Sequence, residues 1–264
     1  MDGPETPFAA AARAGRRIGH AVETHESIGS TNDRARELLD RPDGEGTAVV
    51  AELQTDGRGR RGRRWSSPPG RNLMVSVAIR PRVAASEAWG IGLAAALAAR
   101  DACREVAPID LKWPNDLVAA GGRKAGGLLV ETSLDGDRVA AAVVGIGINV
   151  NWRISEMPDE IADSATSLTE LCGSPVDRVA LLDRLLDRLD AELAAVESGV
   201  MPTDRYRAAL RTIGSHVTVE LGGRTLAGIA TGIDDHGALV VETPTGTEHV
   251  TSGEVVRVRP GVPA

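Results

Sequence analysis

The feature that most narrows the fold is a stretch, residues 54–71, that has no apolar period and is rich in Gly and Arg. It is bounded by a β-branched run at 47–53, which reads as a buried strand, and by an alternating run at 73–79, which reads as a second strand. A connection this long inside a compact domain is commonly functional.

The rest of the chain reads as α/β, of the mixed α+β kind. Ser30-Thr31-Asn32 stands ahead of a periodic segment as a helix N-cap. Residues 87–106 read as an Ala/Leu-rich buried helix. Residues 109–113 are short and extended, Pro114 stops them, and 116–118 start a hairpin turned at Gly121-Gly122. Strands follow at 128–131 and 139–148. Helices follow at 167–172, at 179–196 with Leu181, Leu182, Leu185, Leu186 and Leu189 on one stripe, and at 206–210. After Gly214 come five short strands, expected at 216–221, 224–233, 238–242, 247–251 and 255–258, which suggest a small β-barrel. The expected division is a partly disordered tail at 1–20, a catalytic domain on a mixed sheet at 21–213, and a small β domain at 214–264.

Composition excludes several classes. No stretch approaches the roughly 20 apolar residues of a membrane span, and the N-terminus has no signal-peptide core. The two cysteines, Cys103 and Cys172, form no CxxC, which argues against a thiolate metal site and fits a reducing cytoplasm. A net charge of -7 disfavours bulk attraction to nucleic acid. The chain has only two lysines, Lys112 and Lys124, one glutamine, Gln54, and five asparagines, Asn32, Asn72, Asn115, Asn149 and Asn151. These scarce residues cluster in a few Gly-rich segments, which points to positions where substitutes fail.

Four segments carry the chemistry. The first, Gly57-Arg58-Gly59-Arg60-Arg61-Gly62-Arg63-Arg64-Trp65, packs guanidinium groups that cannot pair with one another around glycines that let a ligand approach. It reads as an anion-binding loop that orders on binding, or as a solvated basic loop; it is not a Walker A sequence. The second, Lys112-Trp113-Pro114-Asn115-Asp116, offers a cation, an amide and a carboxylate from one rigid corner, or is simply a turn. The third, residues 122–131, brings Lys124 into a strand whose start, Gly126-Gly127, has no side chains to exclude a ligand. The fourth, Gly145-Ile146-Gly147-Ile148-Asn149, ends a strand on an amide and lacks the third glycine of a dinucleotide site.

Taken together and in this order, GRGRRGR-x-W, KWPND, KAGG-x-L-VE and GIGIN resemble the biotin protein ligases, over residues 27–151 and more loosely through the C-terminal strands. The resemblance implies a mixed-sheet catalytic domain with an SH3-like C-terminal domain. It implies activation of biotin by MgATP to biotinyl-5′-AMP and pyrophosphate, then transfer to one lysine of a biotin carboxyl carrier domain of an acyl-CoA carboxylase. Biotin's carboxylate is already ionised, so the first step needs positive charge around the α-phosphorus rather than a base. By the resemblance Lys124 stabilises the transition state and Arg60 clamps the phosphate. Ser30, Thr31, Gln54, Gly57, Arg58 and Gly127 hold biotin. Arg58, Arg60, Arg61, Arg63, Trp65, Lys112, Asn115, Lys124 and Asn149 hold ATP and the adenylate. Mg2+ travels with the ATP phosphates, with Asp116 as a further ligand, a base for the acceptor lysine, or an orderer of its loop. Arg257 or Arg259 supplies a terminal contact.

The expected protein is a cytoplasmic monomer or weak homodimer with no membrane contact and no specific DNA, since the first 25 or so residues lack helix-turn-helix patterning. Its 54–71 loop is expected to be mobile until the adenylate binds. The rival readings are a lipoate or octanoate ligase of the same fold, and a nucleic-acid-binding module built on the Arg loop.

Overall fold

The structure, a computed structural model, describes residues 7–260, and for Arg257, Arg259 and Pro260 the backbone alone. Expectations for residues 1–6, and for the side chains of Arg257 and Arg259, fall outside the described residues.

The first seven strands are β1 (Val22–His25), β2 (Ala48–Ala51), β3 (Leu73–Ile79), β4 (Asp110–Lys112), β5 (Asp116–Val118), β6 (Lys124–Asp135) and β7 (Arg138–Ile148). They form one sheet in the order β1-β2-β3-β7-β6-β5-β4. β1 pairs with β2 in parallel and the remaining pairs are antiparallel, so the sheet is mixed, as expected.

Every residue of β3 is buried, which requires cover on both faces. Leu73, Val75, Val77 and Ile79 join the core beneath α2 (Trp89–Arg104) and α5 (Arg178–Glu197). The leucine stripe of α5 is fully buried there, and Asp177 caps the helix by accepting from the backbone N–H groups of Val179 and Ala180. On the opposite face α1 (Thr31–Leu38) lays Ala35, Leu38 and Leu39 against Val49, Ala78 and Val143. Side chains alternate along a strand, so Met74, Ser76, Gly145 and Gly147 share this second face. The register sets Gly127 beside Gly147 and Leu129 beside Gly145. Beyond the reach of α1, this glycine-floored part of the sheet is left open.

Three short helices are α3 (Asp159–Ala162), α4 (Leu168–Cys172) and α6 (Thr203–Ala209), the last packed against α2 and β4. The second sheet follows: β8 (Ser215–Leu221), β9 (Arg224–Ile233), β10 (Leu239–Thr243), β11 (Gly246–Val250) and β12 (Glu254–Pro260). It is antiparallel, in the order β11-β10-β9-β8-β12, and gives the C-terminal residues the small SH3-like unit expected of them.

The expected disorder of residues 1–20 does not hold from Pro7 onward. Pro7–Ala11 forms a 3-10 turn, and Phe8, Ala11 and Ile18 are buried in the main core. The Arg178 guanidinium lies 5.0 Å over the Phe8 ring. Arg16 pairs with Asp183 and Asp187 at 2.6 Å, and Arg17 with Glu197 at 2.5 Å, all on α5. The segment has no apolar period because its anchors are single residues. Its order comes from the acidic flank of a helix far along the chain. β1 was also not anticipated, since its four residues are each half-buried and show no alternation.

Candidate active site

The open face of the sheet, the 54–71 loop, the corner at residues 112–116 and the β11–β12 turn enclose a cavity of about 730 Å³. The floor is β7. A Cβ on Gly145 would come within 2.2 Å of Asn32 Oδ1, and one on Gly147 within 2.7 Å of the Trp65 ring. A larger residue at either position would force Asn32 or Trp65 to move, so the GIGIN glycines are set by what lies on top of them.

Beside the floor runs a chain of polar groups. Gln54 Oε1 accepts from the Thr31 backbone N–H at 2.8 Å and from Thr31 Oγ1 at 3.0 Å. Thr31 Oγ1 and Ser76 Oγ lie 2.7 Å apart, Ser76 Oγ donates to Asn32 Oδ1 at 2.6 Å, and Asn32 Nδ2 donates to Glu131 Oε2 at 2.7 Å. Ser30 occupies the N-cap of α1 with an extended backbone, but its hydroxyl makes no capping bond. The expected cap is thus corrected: the only glutamine of the chain caps α1 from another segment.

The Arg loop is tied down by partners its sequence does not announce. Arg58 makes a two-pronged pair with Asp33 at 2.6 and 2.7 Å. Arg60 donates to Asn115 Oδ1 at 3.5 Å and to the Gly253 carbonyl at 3.4 Å. Arg61 donates to the Glu220 carbonyl, Arg63 pairs with Glu254, and Arg64 donates to the Thr55 carbonyl. The arginines do not pair with one another, as their sequence implied, but other groups already meet them. Carboxylates of α1 and β12, and carbonyls of the small sheet, meet them first. Arg58 and Asp33 reinforce each other: the pair holds Asp33 below the usual carboxylate range. Burial lowers the pKa of Arg60, the expected clamp.

The 112–116 corner is held from three sides. Trp113 N donates to Thr212 Oγ1 at 3.0 Å, its indole N–H donates to the Gly237 carbonyl at 3.1 Å, and Tyr206 Oη donates to the Pro114 carbonyl at 3.0 Å. The Trp113–Pro114 bond is cis. Asn115 Nδ2 donates to the Leu128 carbonyl at 2.7 Å, joining the corner to β6. Across from it, Lys124 Nζ sits 2.6 Å from Asp116 Oδ1 and 5.6 Å from the centre of the Trp65 ring. Trp65 Nε1 is buried and has no partner among the described residues.

Ser30, Thr31, Gln54, Arg58, Arg60, Arg61, Arg63, Trp65, Asn115, Asp116, Lys124, Gly127 and Asn149 all line this one cavity. Gly57 and Lys112 do not. Gly57 backs the loop, where a Cβ would come within 2.4 Å of the Trp65 carbonyl. Lys112 lies behind Asp116 on the paired strand, and its burial lowers its pKa. Asn149 spends its amide on structure: Nδ2 donates to the Thr166 carbonyl at 3.0 Å and Oδ1 accepts from Asn72 at 3.4 Å.

Asn32, Ser76 and Glu131 belong to the polar chain and had no assigned role. The scarcity of asparagine was the available signal for Asn32, and Glu131 closes the third motif; nothing in sequence marks Ser76. Among the described residues no group of three or more His, Cys, Asp or Glu is placed to hold a metal ion. The one carboxylate beside the lysine, Asp116, is already neutralised by it.

The family model described as the biotin/lipoate A/B protein ligase family matches residues 25–149, and the one described as the biotin protein ligase C terminal domain matches 212–258. The bifunctional ligase/repressor BirA of Bacillus subtilis is 34% identical over 242 residues, 90% of this chain and 74% of that one. The biotin--[acetyl-CoA-carboxylase] ligase of Mycobacterium tuberculosis is 38% identical over 244 residues, 88% of this chain and 86% of that one. The Aquifex aeolicus biotin protein ligase, solved in complex with biotin and ATP, superposes with a TM-score of 0.75 at 32% identity, covering 91% of this chain and 99% of that one.

Proposed function

The chain belongs to the biotin protein ligase family and is an ATP-dependent biotin protein ligase, and from that premise we propose how its cavity performs the two half-reactions. The observation that carries the reading is the meeting of Lys124, Asp116 and Arg60 at one end of a glycine-floored cavity whose other end is a hydrogen-bonded array.

The array of Ser30, Thr31 and Gln54 supplies the fixed donors and acceptors that a ureido ring requires. Gly127, beside Gly147, leaves room for the chain that follows the ring. At the other end the carboxylate oxygen of biotin attacks the α-phosphorus of ATP. A new O–P bond forms, the bond to the β-phosphate oxygen breaks, and pyrophosphate leaves with the electron pair. Arg60 and Lys124 offset the charge that gathers there, an effect worth roughly 10²–10³ in rate for one well-placed group. Magnesium enters as part of the MgATP substrate. Arg58 reaches the phosphate only by releasing Asp33, and Trp65 offers its indole N–H to the nucleotide.

Turning Lys124 toward phosphate frees Asp116. In the second half-reaction the ε-amine of the carrier lysine attacks the carbonyl carbon, the C–O bond to AMP breaks, and the amine gives up a proton. A freed Asp116 orients or accepts it. The acceptor is a carrier domain of an acyl-CoA carboxylase, and the working form is a monomer or weak homodimer in the cytoplasm. These residues, which show no helix-turn-helix patterning, are not expected to bind an operator, which a mobility-shift assay with biotinyl-5′-AMP tests. The decisive measurement is biotin-dependent ATP–pyrophosphate exchange, run against lipoate. Exchange with lipoate but not biotin, or exchange undiminished when Lys124 is neutral, overturns this assignment of roles.

A further inference from the structure

The β2–β3 ladder ends at the pair Ala51 and Met74, and the 54–71 loop leaves the sheet just beyond it, between Glu52 and Asn72. One side chain joins these two feet. Arg178 donates to both carboxylate oxygens of Glu52, at 2.6 and 3.0 Å, and to the Asn72 carbonyl at 3.0 Å. Ala48 and Val50 face the core beneath α2 and α5, and Glu52 continues their alternation, which carries a carboxylate to the edge of that core. A carboxylate in such a place needs a partner. Among the described residues Arg178 is the side chain that bonds it, and it is itself only 17% exposed. The arginine is also delivered from a fixed place. It is the first residue of α5, just after the Asp177 cap. Asn151 holds the preceding turn through both the N–H and the carbonyl of Val176, each at 2.9 Å, while its own N–H donates to the Arg71 carbonyl at 2.8 Å.

We propose that Arg178 is a positioning residue for the biotin end of the cavity: it clasps the two feet of the 54–71 loop and so sets where the loop meets its ligand. The ligand named here rests on the ligase reading; the clasp itself does not. Arg178 does not line the cavity, so it acts through the residues it holds. Two positions beyond Glu52 stands Gln54, which walls the cavity and caps α1. At the other foot Asn72 Nδ2 donates to Ser67 Oγ at 2.9 Å, and Asn72 Oδ1 accepts from the Val150 N–H at 2.9 Å. A shift of either foot therefore moves the loop against the glycine floor of β7. The planar fork of a guanidinium fixes both the distance and the direction of its carboxylate partner, which the single ammonium of a lysine cannot do.

The test compares the whole chain as wild type, Arg178→Gln, Arg178→Lys and Glu52→Gln/Arg178→Gln, by thermal midpoint, by hydrogen exchange of residues 52–72 without ligand, and by the KM for biotin against kcat. Arg178→Gln leaves Glu52 charged and unpaired, so its midpoint is expected to fall. Its KM for biotin is expected to rise by about tenfold with a smaller change in kcat, because a small misplacement far from the chemistry can cost up to about 10²-fold. Arg178→Lys should recover the midpoint more fully than the KM. The double variant removes both charges and should regain much of the midpoint, since deleting both partners costs less than stranding one. Its KM should stay high and exchange in 52–72 fast, because the clasp is still absent. A KM that returns with the midpoint in the double variant would show a stability effect alone and overturn the proposal, as would wild-type KM and exchange in Arg178→Gln. Wild type that neither binds nor activates biotin, with exchange in 52–72 still accelerated in Arg178→Gln, overturns the ligase reading and leaves the clasp standing.

Discussion

Gln54 Oε1 stands 2.8 Å from the backbone nitrogen of Thr31, so one side chain both caps α1 and walls the ligand cavity. The two roles separate by substitution. Gln54→Leu removes the cap and is expected to cost about 1 kcal/mol, seen as a fall in thermal midpoint of a few degrees. Gln54→Glu keeps an acceptor at a helix N-terminus, where an anion is favoured. It should hold the midpoint while raising the KM for biotin. An unchanged KM in Gln54→Glu would leave Gln54 with the structural role alone.

Lys124 and Asp116 form a pair that must part for chemistry. Lys124→Met is expected to slow adenylate formation by roughly 10²–10³. Asp116→Asn should slow transfer from preformed biotinyl-5′-AMP more than its synthesis. Equal losses in both half-reactions, followed by single-turnover quench, would show that Asp116 serves only to order the corner.

Gly147→Ala would push a methyl group to within 2.7 Å of the Trp65 ring. The protein should fold, since the floor faces the cavity, but Trp65 must move. The KM for ATP is expected to rise several-fold, with the KM for biotin little changed. Tryptophan fluorescence in the presence and absence of nucleotide reports the displacement.

The Asp33–Arg58 pair gives an acid-side signature. The hydrogen bonds from Arg58 hold the folded-state pKa of Asp33 below its unfolded value, so the pair contributes stability above the unfolded pKa and loses it as pH falls through the folded one. Asp33→Asn should therefore be less stable than wild type at pH 7, and the two unfolding curves should converge toward the acid limit. A difference that persists unchanged at acid pH would mean the pair is broken in solution.

Phe8 is buried against the core and covered by Arg178. Phe8→Ala is expected to cost about 3 kcal/mol in denaturant unfolding. A cost near zero would show that residues 7–20 do not stay on the α5 surface.

How far local sequence reaches is visible at particular residues. The leucine stripe of α5, the alternation of β3 and the turn glycines of the small sheet are patterns of neighbours, and a helix or strand follows from them. The motifs likewise brought Lys124, Asp116 and Arg60 to notice, and its being the one glutamine of the chain did so for Gln54. What each does to the others was not legible. That Gln54 caps α1, that Asp33 holds Arg58, that carbonyls of β8 and of the β11–β12 turn receive Arg61 and Arg60, and that α5 orders residues 7–18, are all contacts between distant segments. Hydrogen bonds and ion pairs act over a few ångströms of space, not over positions in a chain. Periodicity and residue type therefore determined most of the elements and drew attention to the candidate chemistry of this protein, but not β1 or the order of residues 7–18. Only the packing of the two sheets decided which charges were paired and which were left to meet a ligand.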